Sequence, residues 1–242
     1  MTSPSTFTIW LPVTLSITAG AVDVIAFLAL GGLFTAHITG NLVVVAAHYA
    51  TGAFRQAGPL LVVPVFLLVL GVVVLWFGQP HRQEYSRRAL LTLHMTLLFG
   101  CVGAGFAFGP FEKSNSTAAV ATGMLAVAAM ATQNALVKLS LVNAPSTAVM
   151  TTNATQLIID LVALARSGES QSDGRKVRQR ATVTFACIVG FVGGCVAGAI
   201  LESHFGVVAM TAPAVLAFVS LLLGELNEQQ SFVLPIIKKE QL

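Results

Sequence analysis

Apolar residues run along this chain in eight stretches, at roughly 9–30, 37–50, 58–78, 89–109, 117–138, 147–165, 181–201 and 206–224. Most approach the ~20 residues that a helix needs to cross a bilayer core ~30 Å thick. The pattern predicts an all-α polytopic membrane protein. Only two connections are long, 79–88 (QPHRQEYSRR) and 166–180 (RSGESQSDGRKVRQR), and from 225 the chain is polar, ending in KKEQL. The stretch at 37–50 is short, with only about 12 residues between Thr39 and the Thr51-Gly52 break.

A small polar phrase occurs twice inside this apolar pattern. Residues 35–41 read TAHITGN and residues 147–153 read TAVMTTN, four of seven positions identical and 112 residues apart. A shift of 112 carries the first segment onto the fifth and the second onto the sixth. Allowing for the longer loop at 166–180, the third then falls on the seventh and the fourth on the eighth. The expectation is one integral membrane domain made of two four-segment repeats, 1–112 and 113–242, the second with a polar C-terminal tail.

Composition and charge sharpen this picture. The chain is 55% hydrophobic and 10% charged, with mean hydropathy +0.83, against about 25% charged residues in soluble domains. Its net charge of +3 gives no reason to expect nucleic acid as a partner, because the basic residues flank apolar segments. Ten of the thirteen lie in three places: Arg82, Arg87 and Arg88; Arg166, Arg175, Lys176, Arg178 and Arg180; and Lys238 and Lys239. Positive charge marks the cytoplasmic side. The two loops and the tail share a face only if the sixth segment does not span, and the repeat extends this to the second. Six spanning helices plus two short re-entrant helices follow, with both termini cytoplasmic, and Arg55 and the Glu112-Lys113 loop outside. Three spans per half invert one half relative to the other, a plan common to many transporters. The alternative is eight spanning helices with the charge rule violated. Met1 to Trp10 holds no Lys or Arg, so the first helix is expected to stay rather than be cleaved as a signal.

The phrases carry the candidate chemistry. Thr and Asn favour helix N-caps, and a helix that starts inside a bilayer leaves N–H groups needing partners. Gly40 permits a close approach, and a helix start suits an anion or a carbonyl oxygen. Thr39, Gly40 and Asn41, with Thr151, Thr152 and Asn153, would then form two halves of one solute site, the asparagines meeting near the midplane. The plainer reading is two capped helix starts. Asp23 lies midway along the first segment, where an ionisable side chain costs at least ~2.5 kcal/mol and has a partner or a pathway. Gln133 and Asn134 stand opposite it in the second half. A bundle-holding hydrogen bond is the simpler role for all three.

Other features add less. His37 becomes Val149 in the second phrase, and His48, His94 and His204 lack metal-ligand spacing. Asp160 is expected either to face the interior or to approach the cytoplasmic edge. Cys101, Cys187 and Cys195 read as small buried residues. Gly190, Gly194 and Gly198 form a small-residue row, as do Gly105 and Gly109, serving internal packing or a homo-oligomer seam. No nucleophile elbow, P-loop, zinc motif or dinucleotide fingerprint is present, so neither a cofactor nor an enzymatic activity is expected.

The stretch AGAVDVIAFLALGGLFTAHITGN, followed later by ATQNALVK and TTNAT, resembles the YoaK-like bacterial membrane proteins, a family of unknown function. The resemblance covers about 10–224 and falls on Gly20, Asp23, Phe34, Thr39, Gly40, Asn41, Gln133, Asn134, Thr151 and Thr152. His37-Ile38 and Asn153-Ala154-Thr155-Gln156 depart from the family pattern. The resemblance implies a bacterial inner-membrane location and brings no activity. Physical reasoning therefore decides the expectation, a transporter or channel for a small polar or anionic solute. A membrane scaffold or regulatory subunit is the second reading.

Overall fold

A computed structural model of the chain describes residues 6–52, 57–78, 83–111, 115–166 and 171–239. Arg55, Arg82, Glu112 and Lys113 lie outside the described residues. The described residues form eight α-helices and no strand: α1 Thr6–Ala29, α2 Ile38–Ala50, α3 Ala57–Phe77, α4 Gln83–Phe108, α5 Thr117–Ser140, α6 Met150–Ala165, α7 Gln171–Phe205 and α8 Thr211–Lys239. A 3-10 turn, Gly206–Met210, joins the last two. Five stretches are long and apolar enough to cross a membrane, and the last of them, Gly174–Leu226, contains both α7 and most of α8. The helices α2 and α6, with 13 and 16 residues, are shorter than a crossing requires.

The long helices tolerate polar residues because those residues bond to their own backbone. Thr14, Ser16 and Thr18 of α1 each donate to the carbonyl four residues back, at 2.8–2.9 Å, which leaves no hydroxyl unmet in an apolar shell. Gly31 and Gly32 end α1 with positive φ of 83° and 77°, a conformation glycine adopts without a Cβ clash. Gly32 N–H closes on the Phe27 carbonyl at 2.9 Å.

Small residues decide which helices lie closest. Gly190, Gly194 and Gly198 of α7 pack on Val13, Ile17, Ala21 and Val24 of α1, so the two helices run parallel, and Gly20 meets the Phe191 carbonyl from the other side. Of the two expected uses of this glycine row, internal packing is the one seen here: α1 of the same chain covers it. On α4, Gly105 and Gly109 receive Val207. Antiparallel to α4 runs α5, held by His94 Nδ1 on the Ala129 carbonyl (3.0 Å) and Cys101 on the Thr122 carbonyl (3.6 Å).

Several contacts gather one end of the bundle. Ser86 donates to the Phe77 carbonyl (3.1 Å), and Arg88 pairs with Glu225 (3.1 Å). Ile9, Arg87, Ser140 and Arg180 line one cavity. Packing partners also follow the 112-residue shift. Helix α1 packs on α7 and α8, and α5 on α3 and α4; α2 packs on α3, and α6 on α7. Among the long helices, α1 and α5 are the most enclosed.

Candidate functional site

The two phrases lie in connections that fold back beside the helices they follow. Between α1 and α2, the buried Thr35 sits against Asp23, itself 4% exposed on α1. Asp23 Oδ1 accepts from the Thr35 N–H (2.8 Å), the Thr35 hydroxyl (2.5 Å) and the Ala36 N–H (3.2 Å). Asp23 Oδ2 stands 2.7 Å from His37 Nδ1. Between α5 and α6, Thr147 takes the place of Thr35, and its hydroxyl accepts from Gln133 Nε2 (2.9 Å). Gln133 Nε2 also donates to the Leu15 carbonyl on α1 (3.0 Å). The Leu15 carbonyl, which can only accept, settles the amide's orientation, and Gln133 Oε1 is left buried without a partner.

Each asparagine locks its own connection. Asn41 accepts from the Phe34 N–H (3.0 Å) and donates to the Phe34 and His37 carbonyls (2.7 and 2.9 Å). Asn153 accepts from the Ser146 N–H (3.1 Å) and donates to the Ser146 carbonyl (2.6 Å). Phe34 and Ser146 are themselves 112 residues apart. The side-chain amide thus replaces the backbone partners that irregular chain inside an apolar protein lacks.

These placements revise the sequence-based site. The N-cap positions are His37 and Val149, neither with a capping side-chain bond, so Thr39, Asn41, Thr151 and Asn153 fall inside the first helical turn rather than at the cap. Thr39, Thr151 and Thr152 are exposed and point away from Asp23 and Gln133, because a helix turn puts only every third or fourth residue on the inner face. Gly40 lies against the Phe34 ring, where a Cβ would come within 3.0 Å. Asn134 donates to the Met130 carbonyl of its own helix (2.8 Å), leaving Gln133 as the working counterpart of Asp23. Sequence reading had set His37 aside because Val149 replaces it. Yet His37, part of the first phrase, faces Asp23 at 2.7 Å and lies near the Ala148 carbonyl of the second. Phe34 and Phe191 wall its ring at centroid distances of 5.8 and 6.2 Å. Thr35 and Thr147 were legible as the identical openings of both phrases.

Access differs between the two connections. Leu30 and Leu33 are buried, Leu33 seated against Gly58 of α3 and Gly123 of α5. The residues 112 positions on, Val142 and Pro145, instead line an open cavity of about 690 Å³, and Val142 is 73% exposed. Arg87, Lys176 and Arg180 also line it. Arg180 grips the buried Asp160 with two donors, at 2.9 and 2.5 Å, and Gln156 adds a third at 2.8 Å. Among the described residues no group of three His, Cys, Asp or Glu is placed to hold a metal ion.

No curated protein and no solved structure matches the chain. Over residues 11–223 it matches the family described as "Protein of unknown function (DUF1275)", and the chain belongs to that family.

Proposed function

We propose that this YoaK-like protein is a non-enzymatic transporter of a small polar solute in the bacterial inner membrane. Two inverted halves, 1–112 and 113–242, each contribute three spanning helices and one re-entrant helix. Both termini and both basic loops are cytoplasmic. The solute passes between the Asp23–Thr35–His37 group and the Gln133–Thr147 group. One observation carries the reading: two connections are built alike, and Val142 and Pro145 of the second line an open cavity where the equivalent Leu30 and Leu33 of the first are buried. A site reachable from one side at a time is the requirement of alternating access.

A scaffold remains the second reading, favoured by the commitment of Asn41 and Asn153 to their own connections. Uptake of a labelled panel of small polar solutes into proteoliposomes separates the two. The transport reading expects accumulation above protein-free liposomes, and Asp23→Asn, which keeps shape and hydrogen bonding, should fold and lose at least about tenfold in rate. No accumulation of any solute, or a folded Asp23→Asn with full uptake, favours the scaffold.

A further inference from the structure

The cavity beside the second connection has a composition of its own. Among the described residues thirteen line it; three are basic, Arg87, Lys176 and Arg180, and none is acidic. A cleft lined by one sign of charge with low-dielectric walls concentrates counter-ions. The basic residues at this end also serve membrane orientation, which by itself needs no cleft. The face of α7 separates the two roles. Lys176, Gln179, Arg180 and Val183 line the cavity at positions i, i+3, i+4 and i+7, one stripe of a helix, while Arg175 and Arg178 lie outside it.

The donors are also prepared. A guanidinium has five N–H donors. Asp160 holds Arg180 by two of its nitrogens, while the Arg180 side chain stays 53% exposed. The buried acid therefore fixes the direction of the cation and leaves N–H groups for another partner. Ser140, in the cavity wall, has a buried hydroxyl without a hydrogen-bond partner. Asn143 and Gln179 add amides, and Ile9, Pro12 and Leu141 supply apolar wall.

We infer that this vestibule is a binding site for an oxyanion, carboxylate or phosphate, joined to an apolar body. Lys176 provides the charge, Arg180, whose own charge Asp160 balances, the oriented N–H donors, Ser140 a hydroxyl, and the apolar wall seats the body. A free organic anion and an anionic phospholipid headgroup both present this chemistry. The inference rests on the transport reading only in making the vestibule the mouth of the path.

The test uses the full chain in phosphatidylcholine nanodiscs, titrated with sodium benzoate at constant ionic strength by calorimetry. Saturable binding is expected, weakened about tenfold in Lys176→Gln, since charge-assisted contacts are the strong ones. Arg175→Gln/Arg178→Gln removes two charges outside the cavity and should stay within about twofold, as screened surface charge does. Lys176 is exposed, so its substitution leaves the fold intact. Discs containing phosphatidylglycerol identify the source: competition with benzoate assigns the site to a headgroup, and unchanged binding to a free anion. Absence of saturable binding in both discs, or equal weakening by the two sets of substitutions, overturns the inference. Binding is read without transport, so a protein that binds but does not transport overturns only the transport reading.

Discussion

The connection at 33–41 and the connection at 145–153 share a backbone lock and differ in charge and access. In both, an asparagine closes on the backbone seven positions before it, and a threonine meets a polar side chain from the preceding long helix. In the first, that side chain is Asp23, whose Oδ1 accepts from Thr35 and Ala36 and whose Oδ2 faces His37 Nδ1 at 2.7 Å. In the second it is the neutral Gln133, and Val149 offers no donor where His37 would stand, so Oε1 goes unmet. The lock is what irregular chain needs in an apolar interior. The charged pair is extra, and an unpaired charge at that depth would be costly. The structural device thus occurs in both connections, while the ionisable one stands in the first alone.

The comparison breaks most visibly if the lock is not what holds the connections. Asn41→Leu leaves the Phe34 N–H and carbonyl without partners, the His37 carbonyl keeping the Asn41 N–H, and Asn153→Leu does the same to Ser146. Each should cost about 2–3 kcal/mol, at one to three kcal/mol per buried group left unsatisfied. Unfolding in mixed micelles measures both. Two silent variants would mean that tertiary packing alone shapes the loops.

Access is the next difference to press. Leu33→Ala should cost about 2 kcal/mol through the cavity left between Gly58 and Gly123. It should also expose Ala36→Cys to an impermeant thiol reagent from the side opposite the basic loops. Pro145→Ala, at the equivalent place on the open side, should change stability by less than about 1 kcal/mol, because no packed contact is lost there. If Ala36→Cys stays unreactive after the plug is cut, Leu33 does not close that side.

The smallest effect sharpens the charge comparison. Val149→His returns a donor to the place where the first phrase has one, and a hydrogen bond to Gln133 Oε1 should raise stability by about 0.5–1 kcal/mol. The gain should disappear in a Gln133→Met background. A gain that persists there would come from the histidine's packing instead of the amide.

Much of the architecture was written in local pattern. Eight apolar runs became eight helices, because an apolar run in lipid has no other way to satisfy its backbone. Five lie within about three residues of their expected bounds, while α4 begins six residues early, α7 begins ten early and α8 ends fifteen late, since polar sequence expected as loop and tail continues those helices. The repeated phrase located the connections, and Asp23 stood out because ionisable residues are rare at that depth. Within the phrases the reading went astray for a rotational reason. Thr39, Thr151 and Thr152 looked like caps, yet each helix begins one or two residues earlier and turns those threonines outward. A shift of that size is invisible in composition and decides which side chains face the interior.

The sequence by itself determined that the chain is helical and lipid-embedded, that its polar phrase is duplicated, and that charge gathers beside particular segments. Those are consequences of one-dimensional patterning and of the cost of bare backbone and bare charge in hydrocarbon. Only the tertiary structure decided that the glycine row on α7 is covered by α1 and that Gln133, not Asn134, reaches Thr147. It likewise decided that His37 faces Asp23, and that Leu30 and Leu33 are buried while Val142 and Pro145 line a cavity. Each depends on how helices far apart in the chain rotate and approach, and close packing makes that a property of all the side chains at once.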